Sequence, residues 1–276
     1  NDYMKALSKI YIFIIFFFLY VPIAVLVFFS FNNSKSRSVW SGFTLKWYYR
    51  LFQNQQILSA LSNTLIIAIV SSLLATIIGT IAAVGIMNMN KLAKKTIMNI
   101  TNLPMVNPEI VTGVSLMLLF VFIYNKFGIL KPGMTTLILA HTTFCLPYVI
   151  LSVMPKLRLM DISLYEAAQD LGCSPILAFR KSVIPQVMPG ILSGMMMAFT
   201  LSIDDFVISY FTSGNTQTLP IVIYSMTRKI VSPEINALST MLFVVVLSLL
   251  LIVNFKQIKE ISKRKTTTPT KGVNVN

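Results

Sequence analysis

The sequence predicts an all-α membrane protein with six transmembrane helices. Three observations lead there. The chain has 276 residues, is 55% hydrophobic, and has a mean hydropathy of +0.74. Only 12% of it is charged, against roughly 25% in soluble domains. The apolar residues gather into six runs, each near the ~20 residues that a helix needs to cross a bilayer. The polar segments between the runs carry the basic residues, as membrane-flanking loops do.

The first run, Ile10 to Phe31, holds no charge. It is too long for a signal-peptide core, and no small-x-small cleavage site follows. It reads as a retained anchor. From Asn32 to Ser59 the chain is polar and aromatic, with Trp40, Phe43, Trp47, Tyr48, Tyr49 and Phe52. Trp and Tyr favour the membrane–water boundary, so an interfacial helix is expected there. Leu61 to Met87 is the second span. Ser71, Ser72, Gly79 and Gly85 give it small faces that let a neighbour approach closely.

Ile100 to Tyr124 is the third span. It opens with Pro104 and Pro108 and then places Glu109 in apolar surroundings. Asn125 to Lys131 is a short turn. Pro132 to Pro155 is the fourth span and contains His141, the sole histidine. With no second ligand near it, His141 is expected to be a hydrogen-bonded packing residue. Lys156 to Met188 is polar. Pro189 to Phe211 is the fifth span, with Gly190, Gly194 and Ala198 at four-residue steps, a helix-contact stripe. It ends in Asp204 and Asp205. Thr212 to Pro233 is a polar loop, and Ile235 to Phe255 is the sixth span. Residues 1–255 thus read as a single transmembrane domain. Residues 256–276 form a basic, Thr-rich tail expected to be disordered.

Charge sets the expected orientation. With the amino terminus inside, most of the 23 basic residues fall in the cytoplasm. They are Lys5 and Lys9, the lysines at 91, 94 and 95, then Lys156, Arg158, Arg180 and Lys181, and those of the tail. Both termini and the 156–188 segment are therefore expected on the cytoplasmic side. The net charge of +14 does not point to nucleic acid, because the basic residues form no single stripe beside aromatics.

The stretch from Ser163 to Pro185 is a polar island. Ser163 and Glu166 have capping-box spacing, so a helix is expected from Leu164. Gly172 suits the left-handed position that ends it. Ser174 and Pro175 signal a second start, and Pro185 is expected to stop that second helix. Two short helices in water imply a knuckle presented to a partner. Glu166, Ala167, Ala168, Gly172 and Pro185 together resemble the EAA loop of ABC-importer permeases. Ser182 and Ile184 stand where that motif usually has isoleucine and leucine. The resemblance implies a coupling helix that docks on a cytoplasmic ATP-binding-cassette ATPase dimer, with these five residues as the coupling set.

No catalytic constellation appears. One histidine allows neither a His pair for metal nor a Ser-His-Asp triad. Gly128 to Gly133 resembles a phosphate loop, but Met134-Thr135 follows instead of Lys-Ser/Thr. The chain is not expected to be an enzyme or to need a cofactor. What remains is three carboxylates inside apolar spans: Glu109, Asp204 and Asp205. Such groups cost at least roughly 2.5–3.5 kcal/mol near the bilayer centre and mark functional sites. No Lys or Arg within the spans neutralises them, so a small cationic substrate is the expected counter-ion. Adjacent helical residues point about 100° apart. Asp205 falls nearer the small-residue stripe, at a helix contact, and Asp204 is the better pore candidate.

Leu103 to Gly113, Phe199 to Phe206, Thr218 to Tyr224 and Ser232 to Ala237 resemble the ABC-importer inner-membrane permeases of the spermidine/putrescine type. The likeness runs from about Ile10 to Phe255. It implies the type I importer permease fold in the bacterial cytoplasmic (inner) membrane. It also implies a second, different permease subunit and an extracytoplasmic substrate-binding protein. The implied substrate contacts are Asp204, Asp205, Glu109, Ser202 and Trp47, the last near the substrate entrance. Permeases for ferric iron, sulfate or thiamine share that fold. A membrane-embedded enzyme using the carboxylates and a gradient-driven cation channel or transporter are the rival readings. Neither rival needs a docking knuckle.

Overall fold

A computed structural model describes residues 2–34, 39–228 and 233–266 of the chain. Its helices are α1 (Asp2–Ser30), α2 (Lys46–Gln53), α3 (Gln55–Met87), α4 (Lys91–Val106), α5 (Glu109–Phe127) and α6 (Met134–Leu159). There follow α7 (Ser163–Asp170), α8 (Pro175–Ala178), a π-helical turn (Phe179–Val183), α9 (Ile184–Asp204), α10 (Val207–Thr212), α11 (Leu219–Thr227) and α12 (Pro233–Thr266). Among the described residues there is no strand, only an isolated bridge between Asn32 and Phe43.

Five helical stretches are long and apolar enough to cross a membrane: Leu7–Ser30, Gln55–Met87, Glu109–Phe127, Met134–Leu159 and Pro175–Asp204. The expected sixth span lies on α12, whose described apolar stretch is Pro233–Ser248. Residues 256–266 of the expected disordered tail continue α12 as helix, and 267–276 lie outside the described residues.

The chain divides into two compact units, residues 1–54 with 226–276, and residues 55–225. In the first, α12 packs on α1 and α2. None of the apolar window of α1 is buried within the chain. The segment expected to be one interfacial helix divides, in its described residues, into loop, the short α2 and the start of α3. Asn32 ties it down: Nδ2 donates to Val39 O, and Oδ1 accepts from the amides of Ser34 and Ser41.

In the second unit α3, α6 and α9 pack together. The glycine–alanine stripe explains why. A Cβ on Gly190 would stand 2.7 Å from Lys156 Cγ and 2.9 Å from Ser152 O. One on Gly194 would meet Val149 Cα at 3.2 Å, and one on Gly79 would meet Val149 Cγ1 at 2.8 Å. Further along, Cys145 Sγ donates to Ala198 O. As α9 advances from 190 to 198, its partners on α6 fall from 156 to 145, so the two helices run antiparallel. Lipid offers no hydrogen bonds, and several hydroxyls in these helices are satisfied locally. Thr64, Thr76, Thr142 and Ser152 each donate to the carbonyl four residues back.

Two expected spans are broken. The third is split at Asn107-Pro108 into α4 and α5, because proline disfavours helix at the residue before it. The fifth is split at Asp205-Phe206 into α9 and α10. At the other end of α9 the reverse happens. Pro185, expected to end a helix, lies just inside α9, and the helix is continuous from Pro175. The π-helical turn over Phe179–Val183 widens the helix just before Pro185, where the proline ring would crowd the preceding carbonyls.

Gly190→Val should disrupt the α6–α9 contact. Overpacking of this kind costs about 1–3 kcal/mol. Thermal unfolding of the purified protein should show a lowered midpoint, while Gly85→Val, whose added Cβ meets nothing within 4 Å, should leave it nearly unchanged.

Candidate functional site

The interruption after Asp204 is the centre of the candidate site. A helix that restarts inside a bilayer leaves the N–H groups of its first turn without partners. Asp205 supplies them. Its Oδ2 accepts from Ser209 N at 2.8 Å and its Oδ1 from Ile208 N at 3.3 Å. The residue is 8% exposed. Asp205 is therefore a cap for α10 and not a free carboxylate.

A buried polar chain fixes this cap in place. His141 Nε2 stands 2.9 Å from Ser209 Oγ and 3.5 Å from Asp205 Oδ2. Its Nδ1 is 2.7 Å from Ser202 Oγ, which is 3.1 Å from Ser71 Oγ. The carboxylate favours the tautomer with the proton on Nε2. Nδ1 then accepts from Ser202, and Ser202 accepts from Ser71. Three helices, α3, α6 and α9, thus converge on one hydrogen-bonded line that ends at the start of α10. Ser202, expected to contact substrate, continues the small-residue stripe and is 2% exposed. Its hydroxyl is engaged within this line.

Asp204 points elsewhere. It is exposed, as is Glu109 at the start of α5. The two are near enough for their charges to interact, and Tyr148 on α6 also lies within reach of Glu109. The α5–α10 contact brings them together. Gly113, one turn after Glu109, sits under α10, where a Cβ would meet Phe211 Cδ2 at 3.0 Å and Val207 O at 3.5 Å. Among the described residues neither Glu109 nor Asp204 has an ion-pair partner. The two carboxylates thus stand at two helix breaks, near enough for their charges to interact.

Trp47 belongs to the other compact unit. It is 2% exposed, its Nε1 donates to Asn32 O at 2.7 Å, and Arg50 lies over its ring at 5.4 Å. Its side chain is a packing and anchoring group within that unit.

The knuckle has its own geometry. α7 begins at Ser163, and its cap is Asp161, whose Oδ1 accepts from both the amide and the hydroxyl of Ser163. The expected Ser163–Glu166 capping box does not form, because Ser163 already lies inside the helix and Glu166 N bonds Ile162 O. These Ser163 bonds hold the Asp161 carboxyl below its usual range. Gly172 has φ +83°, and Cys173 N returns to Ala168 O, a left-handed helix ending that closes α7. Glu166, Ala167 and Pro185 are exposed and Ala168 is half-buried. Leu171 and Ile176 beside them are 86% and 83% exposed.

Sequence reasoning missed Ser71, Ser209 and Tyr148 as parts of the site. The Asp161-x-Ser163 spacing was a readable signal for the true cap.

Residues 75–267 match the family described as the binding-protein-dependent transport system inner membrane component. The match takes in the knuckle and both helix breaks. The chain belongs to this family. It is 42% identical over 230 residues to the putrescine transport system permease protein PotI of Escherichia coli K12, covering 82% of each chain. It is 38% identical over 248 residues to the spermidine/putrescine permease PotC of Haemophilus influenzae, covering 90% of this chain and 94% of that one. A PotC homolog of Mycoplasma genitalium is 30% identical over 274 residues, covering 96% and 95%.

The fold is shared more widely. A crystal structure of a bacterial ABC transporter that imports the acidic polysaccharide alginate has a chain matching this permease with TM-score 0.71 at 12% identity, covering 92% of this chain and 96% of that one. A structure of such a transporter in complex with a periplasmic protein bound to alginate pentasaccharide gives 0.69 at 18%, covering 97% and 96%. The permease is thus a multi-pass, all-α membrane protein with the ABC-importer permease fold, and its relatives are transport proteins.

The network predicts an asymmetry between neighbours. His141→Ala leaves the hydroxyls of Ser202 and Ser209 without this partner, at about 1–3 kcal/mol. Asp205→Asn turns one acceptor into a donor facing an N–H. Both should lower the unfolding temperature of purified protein. Asp204→Asn, on an exposed residue, should stay within about 0.5 kcal/mol of the parent. Equal losses at 204 and 205 would contradict the cap.

Proposed function

We propose that this chain is a permease subunit of an ATP-driven importer that carries polyamines, putrescine or spermidine, inward across the bacterial cytoplasmic membrane. The observation that carries the cargo assignment is the pair of exposed carboxylates, Asp204 and Glu109, set at facing helix breaks in apolar spans. Anionic cargo would be repelled there, and neutral cargo would leave the charges uncompensated. The alginate transporters have the same fold and an acidic cargo, so the fold itself does not choose the cargo. The residues at the break do. The putrescine and spermidine relatives support the same choice.

Energy comes from a separate ATPase dimer docked at the knuckle. Leu171, in the turn after α7, and Ile176, in the short α8, expose apolar side chains at the knuckle, and exposed apolar groups of this kind mark a partner surface. Glu166 does not cap its helix, so its carboxylate is free to meet the ATPase. A second permease subunit completes the pathway, and an external binding protein delivers the amine. Both termini and the knuckle lie in the cytoplasm, following the distribution of lysine and arginine.

Uptake by the assembled complex tests the cargo. Asp204→Asn removes a charge-assisted hydrogen bond worth about 1.5–3 kcal/mol, a roughly 10- to 150-fold loss in apparent affinity or rate. Glu109→Gln should show a smaller loss. Full uptake in both would remove the cationic-cargo reading.

Gly172→Val tests coupling. A β-branched residue at φ +83° is strained, so the variant should insert normally but fail to retain the ATPase on purification. Orientation is checked by cysteines placed at two exposed sites. One at Asn215 should react with an impermeant reagent from outside, and one at Ser174 only after permeabilisation. The reverse pattern would overturn the topology and the ATPase contact together.

A further inference from the structure

Past the break, the chain carries an aromatic series that the carboxylates do not explain. Phe206 follows the acidic pair directly. Its ring lies 4.5 Å from that of Tyr224 and 5.5 Å from that of Tyr210, and Tyr210 is 5.6 Å from Phe211. Tyr210 is 55% exposed and Tyr224 37%. Tyr210 and Phe211 also wall a pocket of about 620 Å³ whose other side is the 213–217 loop, with Ser213, Asn215 and Gln217. Rings turned only toward lipid would not be edged by amides and hydroxyls.

The loop is held firmly. Gly214 has φ +55°, and a Cβ there would fall 2.5 Å from Pro132 O. Gln217 accepts from Gln56 Nε2 through its side chain and from Asn63 Nδ2 through its backbone. Its contact with Pro132 places it near the start of α6. The knuckle follows the other end of that helix, roughly 39 Å away at about 1.5 Å per residue.

We propose that Phe206, Tyr210 and Tyr224, with the adjoining pocket, form a cation-binding station for an ammonium group of the cargo. The inference rests on the polyamine reading above. Aromatic faces carry negative quadrupole density and attract ammonium groups near them. The pocket supplies acceptor oxygens where the ammonium sheds water. The rings then pass it to Asp204, two residues before Phe206. A weak station before the carboxylates also suits throughput, because a permeating ion must bind well enough to enter and loosely enough to leave. The rings are specificity-determining for charge and shape, and they select amines over neutral solutes of the same length.

The test is putrescine and spermidine uptake by the full importer complex in proteoliposomes, with delivery by its binding protein. Tyr210→Phe keeps the ring and should stay within about twofold of the parent KM. Tyr210→Leu and Phe206→Leu keep bulk but lose the quadrupole, and should raise KM roughly 5- to 30-fold with little change in maximal rate. Incorporating fluorinated phenylalanines at 210 should raise KM stepwise with fluorine number, an effect a packing role would not produce. Unchanged KM in both leucine variants, with Asp204→Asn still impaired, would overturn the station and leave the polyamine reading standing. Leucine variants that fail to hold the second permease subunit would also overturn it, making the rings a subunit contact. A parent complex that takes up no amine would overturn both.

Discussion

The structure depends on one carboxylate that is engaged by backbone amides. The helix that begins at the knuckle stops and α10 starts after it, and a helix start leaves amides unpaired where water is absent. Asp205 accepts two of them, at Ile208 and Ser209. His141, Ser202 and Ser71 extend the arrangement across three helices. With the cap fixed, the preceding residue is fixed too. That is how Asp204 comes to be exposed beside Glu109 while its neighbour is buried. An adjacent acidic pair has divided its labour, one member holding the backbone and the other offering charge.

Glycine and alanine make this possible. The α6–α9 contact is close enough for Gly190 to face the Ser152 carbonyl without a side chain between them. Larger residues would move α9 away from α6 and take Ser202 and Asp205 out of reach of His141. The long helix from Pro175 to Asp204 joins the knuckle to the break with one π-helical turn near its start. One continuous element therefore links the knuckle to Asp204.

Much of this was legible in the sequence. The four-residue spacing of Gly190, Gly194 and Ala198 gave the contact face, and the 100° step between neighbours separated Asp204 from Asp205. Gly172 announced its left-handed backbone. Other features were hidden for physical reasons. No glycine or proline marks the break after Asp204, since the cap is a side-chain interaction with residues three and four further on. Proline at 185 signals a stop, yet a π-helical turn absorbs it. Asn107-Pro108 did carry the signal for the other break, but the apolar run around it looked continuous. The partners of His141 lie 61 and 68 residues away, beyond any local pattern. Trp47 looked like an interfacial aromatic, and burial against Asn32 could not be read from its neighbours.

Amide hydrogen exchange in a lipid nanodisc tests the central claim most directly. Ile208 and Ser209 should exchange slowly in the parent protein and in Asp204→Asn. In Asp205→Ala, which removes both acceptors, the same two amides should exchange faster by a factor of at least about ten, the equivalent of losing roughly 1.4 kcal/mol. Protection at 208 and 209 that is unchanged in Asp205→Ala would contradict the account, because the break would then be held by something other than this carboxylate.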